Sequence, residues 1–148
     1  MPDVRYLAAD GVPWVQAGPD VQLKVLRVDI DANVWVIENI FSPGFRAESH
    51  KHTGSVEAFT VSGRWRYVEY GIDYCAGSYV YEPANSVHTL SIPADNDGPT
   101  HVQFVMSGAN LNLDASGNVT SVTDAVSILA AYEMLCEMQG FGLPAVLR

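Results

Sequence analysis

Three of the four histidines in this 148-residue chain fall into two short segments whose spacing suits a metal ion. His50 and His52 flank Lys51, and Glu57 follows His52 after four residues. Successive side chains on a β-strand point to opposite faces, so both imidazoles project from one face and Lys51 from the other. Thr53-Gly54 permits a bend, and a strand over 55–61 swings the Glu57 carboxylate back toward the pair. His88 stands 36 residues beyond His52, in a strand-like run over 87–92 that follows a Pro83-Ala84-Asn85 turn. Three neutral imidazoles and a carboxylate form a borderline nitrogen and oxygen set suited to Fe(II), Mn(II), Ni(II), Zn(II) or Cu(II). It holds no thiolate to favour a closed tetrahedral zinc site. Fe(II) or Mn(II) in such a set keeps positions open for O2 or substrate.

These side chains meet only if the strands carrying them fold into one closed sheet. Val21, Leu23 and Val25 alternate with polar neighbours in a run to Ile30, and 34–41 is rich in β-formers before Ser42-Pro43-Gly44 breaks it. Residues 55–61, a Ser62-Gly63 turn and 64–70 read as a hairpin. Further strands are expected over 78–82 and 100–107, with polar turns at 95–99 and 114–118. Strand after strand without intervening helices predicts an all-β antiparallel sandwich or barrel over about 18–113, preceded by an arm, 1–17. The pattern then changes. Ala125, Ile128, Leu129, Tyr132, Leu135 and Cys136 recur at helical spacing, with Thr123 as cap and Gly140 as stop, predicting one C-terminal α-helix over about 124–139. The whole chain, 1–148, reads as a single domain.

Gly44-x5-His50-x-His52-x4-Glu57-x5-Gly63, followed by Gly77-x5-Pro83-x-Asn85-x2-His88, resembles the two motifs of the cupin superfamily. Within it, His52-Thr53-Gly54, 63–67, 77–83 and His88-Thr89-Leu90 are similar to the 2,4'-dihydroxyacetophenone dioxygenase and acetylacetone dioxygenase group. The resemblance implies a jelly-roll barrel with His50, His52, Glu57 and His88 as metal ligands, Fe(II) as the metal, and a homodimer. Three departures stand out: the gap from Glu57 to Gly63 is five residues where the pattern has six, Asn85 replaces a glycine, and Ile92 stands where asparagine is common. Asparagine tolerates the left-handed backbone, so the turn survives the second change. The short gap bears on Glu57, since some carbon-carbon cleaving cupins use three histidines alone.

Two further residues are candidates to act on substrate. Glu82 lies six before His88, an even separation that shares its face if the intervening turn keeps the period, and the resemblance implies a carboxylate here beyond the ligands. Arg66 falls on the side of Glu57 if Ser62-Gly63 is a two-residue turn, and there it would hold a carbonyl or enolate oxygen; a slip of one residue reverses the face. Tyr67, Tyr79, Tyr81, Phe59, Phe104 and Trp35 are candidate pocket walls, two or three of them being expected inside, and His101 reads as a surface or hydrogen-bonded residue.

Composition narrows the partners. A net charge of -9 opposes binding to nucleic acid, where lysine and arginine contacts to phosphate dominate. No apolar run reaches the 18 or so residues that span a bilayer, and the amino-terminal stretch lacks an apolar core like that of a signal peptide, so a cytoplasmic protein is expected. Cys75 and Cys136 form no disulfide framework. The expected function is a non-haem Fe(II) dioxygenase that uses O2 to cleave a carbon-carbon bond beside a carbonyl in a small diketone or hydroxyketone. Zn(II), Mn(II) or Ni(II) are alternative metals. A non-catalytic metal-binding sensor module, or a metal-dependent isomerase or hydrolase, is the alternative function.

Overall fold

In a computed structural model, residues 2–148 are described. β1 (Val15–Gly18), β2 (Val21–Asp29) and β3 (Val34–Phe41) form a meander, and β4 (His50–His52) carries the first two histidines. Next come β5 (Val56–Ser62), β6 (Arg64–Tyr67), β7 (Asp73–Cys75) and β8 (Tyr79–Glu82). β9 (Val87–His88) and β10 (Leu90–Ser91) flank Thr89, and β11 (Thr100–Ser107), β12 (Asn110–Leu113) and β13 (Val119–Thr123) lead into α1 (Ala125–Met138). The chain is thus all-β and antiparallel with one C-terminal helix, as its patterning predicts.

The strands make a six-stranded sheet in the order β1-β2-β3-β11-β5-β8, a four-stranded sheet β13-β12-β4-β9 and a three-stranded sheet β10-β6-β7. β11 lies between β3 and β5 and alternates strictly. Thr100, Val102, Phe104 and Met106 are buried while the residues between them are not. With Val25, Trp35, Val56, Ala58, Trp65 and Ile92 they build a core that extends to Leu129, Tyr132 and Cys136 of the helix. Each large apolar side chain so buried contributes roughly 1.5–3 kcal/mol. α1 packs on β1, β2 and β13, where the Tyr132 hydroxyl donates to the Pro13 carbonyl.

The structure differs from expectation in several places. β13 pairs with β12 and carries the sheets to Thr123, past the expected limit of about 113, and β7 adds a strand beyond those expected. Residues 55–61 and 64–70 do not form a hairpin: β5 pairs with β11 and β8, whereas β6 pairs with β10 and β7. At Gly63 the chain passes from one sheet to the other. A Cβ there would lie 2.4 Å from Thr100 Oγ1, and φ is +83°. The strand-like run 87–92 splits at Thr89, so that His88 pairs in one sheet and Leu90 in another. Part of the supposed arm is β1, pairing with β2 from Val15↔Leu23. Asp124, not Thr123, caps the helix: its carboxylate accepts from Ser127 N at 2.9 Å, and its own N–H donates to Ser127 Oγ, while Thr123 ends β13.

Candidate metal centre

β4 is three residues long and held on both sides. His50 pairs with His88 of β9, and on the other edge His52 pairs with Asn110 and His50 with Asn112 of β12. Sharing one face, His50 and His52 have ring centroids 4.6 Å apart, and the His88 ring lies 5.0 and 5.1 Å from them. One nitrogen from each ring falls within 4.8 Å of the other two. His52 and His88 are buried and His50 is half-buried at the edge of a cavity. Behind them, Thr89 ties the segments together: its N–H and hydroxyl donate to the Glu69 carboxylate at 2.9 and 2.7 Å, and its hydroxyl lies 2.6 Å from Ser49 Oγ.

Glu82 supplies the buried carboxylate. Its Oε1 lies 2.7 Å from His88 Nε2 and its Oε2 3.6 Å from His52 Nε2, and the Tyr67 hydroxyl donates to Oε1. The Tyr67 ring also stacks on His88 at 4.0 Å. Close as the carboxylate is, its approach to the imidazoles is not aligned for hydrogen bonding. His52 Nε2, both His88 ring nitrogens and Glu82 Oε2 are buried without a hydrogen-bond partner among the described residues. Unpaired buried polar atoms cost stability, and a cation held by one nitrogen of each ring, beside Glu82 Oε2, would satisfy several of them at once.

Electrostatics agree with that reading. Burial, reinforced by the neighbouring imidazole charges, lowers His50 to about 4 and His52 to about 3, so both rings are neutral and keep lone pairs for a metal near pH 7. Burial pushes the Glu82 carboxyl up from its usual range, against the pull of His88. The His50 Nδ1 faces the Glu48 carbonyl at 3.3 Å, directing Nε2 inward, and Asn110, paired with His52 across β4 and β12, raises that ring's affinity for a proton against the larger effect of burial. Three nitrogens and one oxygen therefore fit Fe(II) or another first-row divalent ion, with His50, His52 and His88 as the holders and the Glu82 carboxylate beside them.

Two expected site residues point elsewhere. Glu57 lies on the outer face of β5, since Val56, Ala58 and Thr60 take the inward positions, and its Oε1 accepts from the Tyr79 hydroxyl at 2.8 Å. The bend at Gly54 sets this parity. Gly54 packs so tightly on β11 that a Cβ would stand 2.1 Å from the Ser107 carbonyl oxygen. Arg66 is also outward, with Nε 2.7 Å from Asp73, because Trp65 and Tyr67 occupy the buried positions of β6. Asn85 adopts φ 69°, the left-handed turn expected of it. His101 Nε2 lies 2.8 Å from Glu38, away from the cluster.

The centre opens into a cavity of about 620 Å³ whose walls include Leu23, Trp35, Ile37, Phe41, Phe104 and Met106, with His50, His52, Tyr67 and Glu82 among its lining. Of the candidate wall aromatics, Trp35, Tyr67 and Phe104 line it, whereas Phe59, Tyr79 and Tyr81 are exposed on the outer face. The sequence reading missed Asn110 and the Glu69–Thr89 brace. Asn110 lies 58 residues beyond His52, and only the β4–β12 register joins them.

An antiparallel barrel holding an H-x-H pair and a later histidine in its interior is a cupin. The chain belongs to the family of ChrR cupin-like domains, which it matches over residues 3–109. No curated protein matches its sequence. It is similar to a protein of unknown function with a cupin-like fold from Ralstonia eutropha JMP134, at 31% identity and a TM-score of 0.91 over 100% of this chain and 94% of that one. Acetylacetone dioxygenase from Acinetobacter johnsonii shares the fold at 16% identity and a TM-score of 0.77, over 91% of this chain and 93% of that one. A chain from the complex of Rhodobacter sphaeroides SigE with the anti-sigma ChrR aligns at 15% identity and a TM-score of 0.54, over 66% of this chain and 50% of that one.

Proposed function

We propose that this protein is a non-haem Fe(II) dioxygenase that cleaves a carbon-carbon bond beside a carbonyl. The observation that carries the reading is the set of unpartnered buried nitrogens of His52 and His88, beside Glu82, at the end of an apolar cavity. The fold shared with acetylacetone dioxygenase supports it. His50, His52 and His88 would hold the metal, which when bound would supply Lewis acidity and a path for electrons from the substrate to O2. Apolar walls bind the body of a ketone and exclude water. Glu82 Oε2, the oxygen not engaged by Tyr67, takes the proton from the carbon beside the carbonyl, and Tyr67 fixes the carboxylate for that transfer. The raised affinity of Glu82 for a proton suits this role. Glu57 and Arg66 have no part in it.

The same reading takes residues 1–148 as one cupin domain, cytoplasmic and homodimeric. Support for the first is the core shared from Val12 to Cys136. Among the described residues no helix is long and apolar enough to cross a membrane. Exposed Val126, Met134, Met138 and Phe141 offer an apolar surface for a second copy. The likeness to the SigE complex with anti-sigma ChrR favours a second reading, in which a metal-loaded barrel senses small molecules without turnover.

O2 uptake separates the two. Protein loaded anaerobically with Fe(II) is expected to consume O2 with a β-diketone or a 2-hydroxyacetophenone, in step with carboxylate product, while Zn(II)-loaded protein does not. Stoichiometric Fe(II) with no O2 consumed across that panel would overturn the dioxygenase and leave the sensor.

A further inference from the structure

Apart from the histidines and Glu82, the charged residues lining the large cavity are Arg46 and Glu48. Arg27, Arg64, Arg66 and Arg148 each pair with a carboxylate, and Arg5 donates to the Arg148 carbonyl. Arg46 alone among the arginines has neither an acidic partner nor a guanidinium hydrogen bond among the described residues. Arg46 and Glu48 are both exposed, so the guanidinium stands in solvent at the mouth of the cavity, free to meet an incoming anion. Its backbone is nonetheless fixed. Arg46 bridges Ser91, Ala47 N donates to the Leu90 carbonyl at 3.0 Å, and Ile92 N donates to Phe45 at 2.8 Å.

Arg46 precedes His50 by four residues, so the two Cα atoms stand at most about 14 Å apart even with the chain fully extended. The space between is mostly apolar. At about 620 Å³ the cavity is of the size that encloses drug-sized ligands, well beyond a five-carbon diketone. An apolar cavity with a carbonyl-binding centre inside and an unpaired, exposed guanidinium at its mouth selects a molecule with matching ends.

We propose that the substrate is an oxo acid of medium length, an apolar ketone whose carbonyl reaches the three-histidine centre and whose carboxylate pairs with Arg46. This rests on the function proposed above for its ketone end, and adds the acid end and the size. A guanidinium meets a carboxylate with two parallel N–H donors, which no other residue of this cavity offers. Glu48, two residues along the same wall, opposes the acid and sets an upper limit on its affinity.

The test is equilibrium binding to Zn(II)-loaded protein, which needs no turnover, followed by calorimetry and by Trp35 fluorescence from the cavity wall. The probes are 6-oxo-6-phenylhexanoate and its neutral methyl ester. Wild type is expected to favour the acid by about 2- to 5-fold, the worth of one exposed ion pair. Arg46→Gln should abolish that preference with ester binding unchanged, Arg46→Lys should restore part of it, and Glu48→Gln should enlarge it. Equal binding of acid and ester by wild type, an acid preference that survives Arg46→Gln, or no binding of either probe overturns the proposal. O2 uptake by the Fe(II) form is read separately. An Arg46-dependent acid preference without O2 consumption keeps the oxo acid as ligand and removes the dioxygenase.

Discussion

Glu57 and Glu82 sit on paired strands, one register position apart, and have opposite surroundings. Val56 faces Glu82 across the β5–β8 pair, and the next pair is Glu57 with Tyr81. Each carboxylate accepts a tyrosine hydroxyl, Glu57 from Tyr79 and Glu82 from Tyr67. The first pair of groups is at the surface. The second is buried beside the unpartnered nitrogens of two imidazoles, and burial there raises the Glu82 carboxyl's affinity for a proton. The same local chemistry, a carboxylate with a phenol, becomes a candidate reactive group solely because the pleat turns one inward. Strand parity therefore assigns the function, and residue type alone does not.

The largest effect expected from breaking the inner side is loss of the metal. His88→Ala removes one of three holders, and its cost should exceed the about 10–100-fold that loss of a supporting residue such as Asn110 brings. Metal content after dialysis, compared with wild type and with Asn110→Ala, checks this; a His88→Ala protein retaining a full metal complement would end the assignment. Next comes the pair of carboxylates themselves. Glu82→Gln should retain metal and lose about 10²- to 10⁴-fold in turnover of any accepted ketone, the usual worth of a positioned base. Glu57→Gln in the same assay should match wild type within a factor of about two, as expected for a surface group.

Much of this contrast was legible in the sequence, and the remainder depended on contacts far apart along the chain. The H-x-H pair and His88 were readable because a period of two and a following turn are local properties. Val34–Phe41 and Thr100–Ser107 match their expected bounds for the same reason. Glu57 went wrong at Gly54, where close packing on Ser107 sets which side of β5 faces in, and no residue near Glu57 signals that. Arg66 depended on a Ser62-Gly63 hairpin that does not exist, because β5 finds its partners in β11 and β8. Glu82 was reached by even spacing to His88, but its Tyr67 and His52 contacts come from two other sheets. Asn110 and Thr89 carried no local signal at all.

Acid should separate the inner groups from the outer ones in metal-free protein. His50 and His52 are held at about 4 and about 3, below their usual 6.5. As pH falls below 6.5 the unfolded chain takes up two protons that the folded chain refuses, so stability is lost progressively toward pH 3. Glu82 acts with the opposite sign: its raised value costs stability at neutral pH, and that cost is recovered as the pH falls through the folded value toward 4.5. Two histidines outweigh one carboxylate, and a lower urea midpoint at pH 5 than at pH 7 is the expected result. The Glu82→Gln protein should show a steeper loss, since the opposing group is gone. A midpoint unchanged or higher at pH 5 would mean that the imidazoles are not neutral in the folded state.

The smallest effect tests the outer side directly. Tyr79→Phe removes the hydroxyl that Glu57 accepts, but both groups are at the surface and regain water, so stability should change by no more than about 0.5 kcal/mol. Tyr67→Phe removes the equivalent bond to Glu82 where no solvent can replace it, and should cost about 1–3 kcal/mol in the metal-free protein. Urea denaturation of the two variants side by side measures the difference between one hydrogen bond made inside and another made outside. If Tyr79→Phe proved the costlier, Glu57 would be the carboxylate the fold depends on, and the inward parity of β5 and β8 would have to be reversed.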